Sequence, residues 1–452
     1  MNVIIVGCGR VGCTLAEKLI EDGGNSVTVV DMDSVKVQEL TERFDVMGVV
    51  GNGATHTTLL EADIKSADLF IAVTNSDELN LLCCMVAKKE GDCQVIARLK
   101  SPEYSEEVEY LQDELGLALV INPEYAAAEE IARILRFPAA IKIEPFAKGK
   151  VELIKFRLPE DSHIVGMSVK DVMIRYKCDV LVCTIERGDD SYIANGDFVF
   201  EAKDIVTIVA SPKNAKEFFK IINYKGHSIK NAIVVGGGVI THYLCEILDR
   251  SGITLKIIEK DRKVCEELAG LFPACKIING NATDKELLLE EGVKSAGAFV
   301  ALSKHDEENI LLSLFVQEVC QGKLITKINR IDYDNVLNRL ELDTTICPTH
   351  ITSDVILRYV RSARKTRGSN IETLYNIIPG EVEATEFIIK ERSLIAEKPL
   401  SMLRFKENVL VAAIYRDKKV IIPRGNDVIQ AGDAVVIVSK RTGLHDITEV
   451  LR

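Results

Sequence analysis

The feature that most constrains this chain is a self-repetition held at one offset. Val6-Gly7-Cys8-Gly9 matches Val235-Gly236-Gly237-Gly238, 229 residues further on. Gly51-Asn52-Gly53-Ala54-Thr55 returns, one residue shorter after the Asn, as Gly280-Asn281-Ala282-Thr283. Asp77-Glu78-Leu79-Asn80 returns as Asp306-Glu307-Glu308-Asn309, and Arg98 aligns with Lys327. The tail keeps step too, with Asn195-Gly196-Asp197 against Arg424-Gly425-Asn426 and Lys203-Asp204 against Gly432-Asp433. A register kept over so many positions marks a duplicated unit. At 452 residues the chain also exceeds what one core accommodates. Whatever one copy folds into, the chain contains twice.

Each copy divides again. Its first part alternates short apolar runs (Val3–Val6, Ser26–Val30, Asp45–Val50, Leu69–Val73, Gln94–Leu99) with helical patterns of 10–15 residues, the signature of βαβ units and a parallel sheet. A helix carrying Ala128, Ile131, Ile134 and Leu135 on one face closes this part before Pro138. That stripe reads either as core or as a crossover or dimer-forming helix. The second part consists of strands (Val151–Phe156, Val180–Glu186, Tyr192–Ala194, Asp204–Ala210) around one short helix, Val169–Ile174, and turn signals such as Asn-Gly-Asp. In the other copy these return as Val409–Tyr415, a turn at Arg416–Lys419, Val420–Ile422 and Ala434–Ser439. The expected architecture is α/β: two tandem Rossmann-like parallel-sheet domains (1–138 and 224–368), each followed by a small β-rich α+β domain (139–223 and 369–452).

Composition narrows the function. A net charge of −12 opposes a nucleic-acid partner, which demands a basic stripe. The bases Arg358, Arg361, Arg364, Lys365 and Arg367, at helical spacing, read as a solvated helix face. No apolar run approaches the ~18–20 residues of a membrane span, and the chain opens on a strand-like run where a signal peptide would lie. Twelve cysteines without a C-x-x-C pair, largely in apolar contexts, read as small core hydrophobes of a reduced cytoplasm.

The chemistry lies in the glycine loops. Gly7-x-Gly9-x-x-Gly12 falls between a strand and a helix, where the first glycine permits a tight turn and the second lets a pyrophosphate approach the backbone. The third brings helix and strand close together. Asp31, 24 residues past Gly7 and ending the second strand, is placed to accept from both ribose hydroxyls and favours NAD over NADP. Arg10 beside the second glycine suits a terminal phosphate of ADP or ATP. The second loop keeps Gly236, Gly238 and the acid Glu259, but has Thr241 for the third glycine and Val239 for Arg10. Two readings of it stand: a nucleotide cleft, or a structural relic. Glu124, replaced by Thr349 in the other copy, reads as a helix cap or as a metal ligand.

Ile4-Ile5-Val6-Gly7-Cys8-Gly9-Arg10-Val11-Gly12, Val30-Asp31, Gly51-Asn52-Gly53 and Ala72–Glu78 resemble the RCK (KTN) domain family of potassium-channel and transporter regulators. Asn426-x-x-Ile429-x-Ala431-Gly432-Asp433 resembles the domain that accompanies it. The tandem arrangement is similar to the cytoplasmic regulatory subunits of Trk-type potassium uptake. That resemblance implies a ring of these domains, a homotetramer, lying peripherally on the inner face of the cell membrane against a potassium-conducting Trk membrane subunit. It implies clefts that bind NAD or NADH and adenine nucleotides, with ADP or ATP in the first. It further implies phosphates held by Gly7, Gly9, Arg10, Val11 and Gly12 and ribose by Asp31. Asn52 would lie beside the adenine, Thr74, Asn75 and Arg98 would line the rest of the cleft, and Asn281 would bind cofactor in the second cleft. The rival, an NAD-dependent oxidoreductase, requires an acid/base group beside the nicotinamide. After each Rossmann-like part the sequence offers only a small β-rich domain whose clearest histidine, His163 (aligned near Arg392), reads as a surface residue.

Overall fold

A computed structural model describes residues 1–452 except 139, 147–149, 189, 223–228, 250, 330–339, 341, 366–370, 379–380, 391–392, 418, 441–443 and 445. Strand β1 (Asn2–Val6), helix α1 (Arg10–Glu21), β2 (Ser26–Asp31), α2 (Ser34–Arg43) and β3 (Met47–Val50) form the first βαβαβ half-sheet. After α3 (His56–Glu61) come β4 (Leu69–Ala72), α4 (Asp77–Glu90), β5 (Gln94–Arg98), α5 (Val108–Leu115), β6 (Leu119–Ile121) and α6 (Pro123–Arg136). The strands pair in parallel in the order β3-β2-β1-β4-β5-β6. Strand order reverses between β1 and β4, and in such a sheet ligands bind beyond the carboxyl ends of the strands at that point. Near-continuous burial of β1, β2 and β4 follows from helices covering both faces.

Next come β7 (Ala140–Phe146), β8 (Val151–Arg157), α7 (Val169–Tyr176), β9 (Leu181–Arg187), β10 (Asp190–Ile193), β11 (Ile205–Ala210) and α8 (Pro212–Ile221). The second copy repeats the parallel part. It runs β12 (Asn231–Val235), α9 (Val239–Leu248), β13 (Thr254–Glu259), α10 (Arg262–Leu271), β14 (Lys276–Asn279) and α11 (Lys285–Glu290). Then follow β15 (Ala298–Ala301), α12 (Asp306–Val319), β16 (Lys323–Lys327), β17 (Thr345–Ile346) and α13 (Pro348–Lys365). It ends on β18 (Ile371–Ile378), β19 (Val382–Ile388), β20 (Val409–Arg416), β21 (Lys419–Ile421) and β22 (Ala434–Ser439). The second parallel sheet runs β14-β13-β12-β15-β16-β17, the same order as the first. The two small sheets, β10-β9-β11-β8-β7 and β18-β19-β22-β20-β21, are antiparallel. Strand β7 escapes a reading from propensity because Pro145 interrupts it, and it sits where proline is tolerated, on a sheet edge. The basic run around Arg361 and Arg364 has side chains outside the described residues.

The chain forms two compact units. One joins Met1–Arg136 to Ser228–Leu357, so both parallel sheets belong to it. The stripe on α6 decides this: Ala127, Ala128, Ile131, Ala132 and Leu135 are buried in one core with Ile240, Tyr243, Leu244 and Leu248 of α9. The helix is thus a crossover, and its alanines keep the two helix backbones close. Asn122 donates to the Tyr243 hydroxyl at 2.9 Å, which donates to the Lys100 carbonyl at 3.2 Å, while the Tyr125 and Tyr243 rings meet edge-on at 5.3 Å. Lys18 of α1 in turn pairs with Asp354 of α13 at 2.5 Å.

The other unit, Phe137–His227 with Arg358–Arg452, packs the two antiparallel sheets together. Phe146, Val151, Leu153 and Val209 share a core with Tyr375, Val382, Ala384 and Val436, and the Phe146 and Tyr375 rings lie 4.6 Å apart.

Candidate nucleotide site

In the first half Gly7 has φ +106°, which side-chain-bearing residues rarely adopt, and its N–H donates to the Val30 carbonyl at 2.8 Å. Gly9 is the N-cap of α1 and supplies no side-chain cap, in contrast to Asp33 of α2 and Ser76 of α4, whose side chains accept from their helices. A Cβ at Gly9 would meet nothing within 4 Å, so the backbone face is open. The uncapped N–H groups at the start of α1 are therefore free to meet an anion. Asp31 ends β2 and accepts from Cys8 N–H at 2.7 Å and Asp33 N–H at 2.9 Å, tying its carboxylate to the glycine loop. Asn52 folds its carbonyl oxygen onto Ala54 N–H at 3.0 Å.

The second half reproduces this geometry. Gly236 has φ +100°, Gly238 is an open N-cap without side-chain capping, and Glu259 accepts from Gly237 and Asp261 N–H at 2.7 and 2.8 Å. Asn281 makes the same turn, onto Thr283 N–H at 3.1 Å. Thr241 does not disturb the loop: its hydroxyl donates to the Gly236 carbonyl at 2.5 Å. In the first half, by contrast, a Cβ at Gly12 would lie 1.9 Å from the Gly7 carbonyl oxygen. The third glycine is thus required only where the helix lies that close.

Since α6 packs on α9, the two halves share one cavity of about 740 Å³. Gly9, Arg10, Val11, Asn75, Arg98 and Glu124 line it from the first half, and Gly236, Gly238, Glu259 and Asn281 from the second. Gly7, Gly12, Asp31, Asn52 and Thr74 stand outside that lining. Thr74 is used internally, its hydroxyl 2.7 Å from Asn80 Oδ1. Glu124 does not cap α6: Asn122 does, accepting from Tyr125 N–H at 2.8 Å, and Glu124 instead accepts from Arg98 at 3.0 Å. Among the described residues Arg98 Nε and Glu124 Oε2 are buried without a hydrogen-bond partner, unused capacity that polar groups of a ligand would satisfy. Among the described residues no group of three or more His, Cys, Asp or Glu could hold a metal.

Asn80 and Asn309 carry no signal in their own spacing beyond the repeat, yet they hold the cleft together. Both are fully buried. Asn309 accepts from Ser303 N–H at 2.8 Å and donates to the Ser303 and Lys327 carbonyls at 3.2 and 3.0 Å. It thereby clamps the ends of β15 and β16, as Asn80 clamps Thr74 and Arg98. Asn309→Ala leaves these backbone groups unmatched and is expected to cost about 2–4 kcal/mol in denaturant titrations of the full chain.

In the β-rich part His163 is exposed, and its counterpart Arg392 lies outside the described residues. All cysteines are free thiols. No described helix is long and apolar enough to cross a membrane.

Comparison with known proteins agrees with this architecture. The family model of the TrkA-N domain matches residues 3–123 and again 232–348, and that of the TrkA-C domain matches 153–223 and 384–452. The chain is 31% identical to Trk system potassium uptake protein TrkA homolog 1 of Methanosarcina mazei, with all of both chains covered. It is 29% identical to TrkA of Haemophilus influenzae, covering 100% of this chain and 99% of that one. Among solved structures it resembles the GsuK channel (TM-score 0.63, 15% identity, 97% of this chain and 76% of that one) and the GsuK RCK domain (TM-score 0.62, 15% identity, 97% and 92%). With both domain types matched twice in alternation, and a full-length relative above 30% identity, the chain belongs to the TrkA family.

Proposed function

We propose that the chain is a nucleotide-sensing regulatory subunit that gates a potassium-conducting membrane protein of a Trk-type uptake system, and that it is not an enzyme. One observation carries this reading: Gly9 and Arg10 of the first loop and Gly236, Gly238 and Glu259 of the second half line one cavity bridged by a helix crossover, with Asp31 hydrogen-bonded to the first loop outside that lining. A nucleotide in such a cavity touches both halves, so its binding energy acts on their relative arrangement. The family relatives bear the name of Trk potassium uptake, and two solved structures of this fold are a GsuK channel bound to NAD and one bound to ADP. On this reading NAD(H) and adenine nucleotides are the ligands. Gly7, Gly9 and Gly12 serve the first phosphate site, Arg10 reaches a terminal phosphate, and Asp31 and Glu259 hold ribose hydroxyls. The chain works as a homo-oligomer, a tetramer, on the inner face of the membrane.

Magnitudes allow it. Moving a two-state assembly from mostly closed to mostly open takes ~5.5 kcal/mol of differential binding, and four clefts with tenfold preference, ~1.4 kcal/mol each, supply that sum. The test is a melting series of the purified full chain with NAD, NADH, ADP and ATP. A ligand at 100-fold its Kd is expected to stabilise its unit by about 2.7 kcal/mol, raising Tm by roughly 5–10 °C. No shift with any of the four would refute nucleotide sensing. Sustained NADH oxidation with a ketone or hydroxy acid would favour the oxidoreductase instead.

A further inference from the structure

The shared cavity contains a cation that is paired with no carboxylate among the described residues. Lys327, at the end of β16, lines it and is only 9% exposed. Among the described residues its ammonium makes one hydrogen bond, a long one of 3.4 Å to the Leu302 carbonyl, and no carboxylate lies within ion-pair distance. Its counterpart in the first half, Arg98, is neutralised by Glu124 at 3.0 Å. The second half has Thr349 where Glu124 would stand, and Thr349 lines the same cavity. An ammonium buried without a counter-ion is costly, and a methionine would fill the same apolar space without that cost. An anionic ligand accounts for the lysine.

We propose that Lys327 is the anion-accepting residue of the second half, taking a terminal phosphate of an adenine nucleotide seated on the Gly236–Gly238 loop. Lys304 and Arg10 reinforce it from other walls of the cavity. The proposal rests on the nucleotide reading above and adds that the second cleft is a working site with its own phosphate contact.

The electrostatics agree. Burial pushes the Lys327 ammonium below its ordinary 10.5; Asp306 of α12 and Glu124 of α6 oppose that, and Arg10 of α1 and Lys304 add to it. For a lysine whose folded pKa is depressed, the charged form destabilises the ligand-free fold below that folded pKa. The penalty fades as pH rises toward the unfolded value. A bound phosphate reverses the depression, so binding draws in a proton wherever the free lysine is partly deprotonated.

The experiment is calorimetric titration of the full chain carrying Asp31→Ala, which weakens the first cleft, with ADP and with adenosine, at a series of pH values up to the ordinary 10.5 in paired buffers of different ionisation enthalpy. Lys327→Met is expected to lower ADP affinity about 10- to 100-fold. It is further expected to leave adenosine affinity unchanged, abolish proton uptake and raise the ligand-free Tm. Lys327→Arg should retain most of the ADP affinity. Unchanged ADP affinity in Lys327→Met, or equal losses for ADP and adenosine, would overturn the proposal. ADP binding by the unmodified chain that vanishes in Asp31→Ala would overturn it while leaving the nucleotide reading intact. No ADP binding by the unmodified chain would overturn both.

Discussion

Asp433→Ala is expected to lower the melting temperature of the β-rich unit by roughly 6–20 °C, a loss of about 3–5 kcal/mol. Asp433 is 1% exposed and receives Arg416 in a two-pronged contact, Nε to Oδ1 at 2.7 Å and Nη2 to Oδ2 at 2.6 Å. Its Oδ2 also accepts from Gln430 N–H at 2.7 Å, while the same Arg416 Nη2 donates to the Val428 carbonyl at 2.7 Å. One carboxylate thus joins the end of β20 to the turn before β22. Alanine leaves a half-buried guanidinium and a backbone donor without their acceptor, and removal of one partner costs more than the net worth of the pair. Asp204 repeats the arrangement with Arg187 at 2.9 Å through both nitrogens and Glu201 N–H at 2.8 Å, so Asp204→Ala should cost a similar amount. Asp433→Asn, which keeps one acceptor, should fall between wild type and alanine. Calorimetric scans of the full chain read all three; an Asp433→Ala transition within 2 °C of wild type, against the roughly 6 °C minimum expected, would refute the assignment.

Gly12→Val is expected to remove nucleotide binding from the first cleft, by about 100-fold or more, while Thr241→Val leaves the second cleft within about threefold of its starting affinity. At Gly12 the added carbon would stand 1.9 Å from the Gly7 carbonyl oxygen and 3.1 Å from its carbon. Both are backbone atoms of a loop anchored at Val30 and Asp31, so no side chain can swing aside to relieve the overlap. Helix and loop must separate, and the open N–H groups move with them. Overpacking of this kind costs about 1–3 kcal/mol in stability as well. At Thr241 the protein already holds a branched side chain, and valine loses only the hydroxyl's bond to the Gly236 carbonyl, about 1 kcal/mol. Titration of each variant with ADP distinguishes the cases; a Gly12→Val chain that binds with two unchanged sites would show that the close approach is not needed.

Much of this protein is legible from its residues in order. Strands β1 and β4 are near-continuous apolar runs, β2 is a valine-rich one, and α1 begins at Arg10 as the loop spacing requires. The acids Asp31 and Glu259 stand at strand ends beside their loops. Thr241 is harder to read, because whether a third glycine is needed depends on a helix-to-loop distance that the motif does not encode. Glu124 is harder still. Its position in the first turn of a helix suggests a cap, and only the approach of Arg98 from β5 gives it another partner. Asn80 and Asn309 are invisible as anything but repeated letters until their side chains are seen spanning two strand ends.

By itself the sequence determined the duplication, the alternation of parallel-sheet and β-rich parts, and the two glycine loops with their acids. These features are local: glycine's freedom at positive φ, the periods of strand and helix, and acid spacing all act between near neighbours. Only the tertiary structure decided that α6 crosses onto α9 and that the two loops therefore share one cavity. It also decided that Arg98 is neutralised where Lys327 is not. The crossover and the shared cavity rest on contacts between residues more than a hundred positions apart, such as Asn122 with Tyr243, and the Arg98–Glu124 pair on two elements brought together across the sheet end. An apolar stripe specifies that a face will be buried but not against which partner.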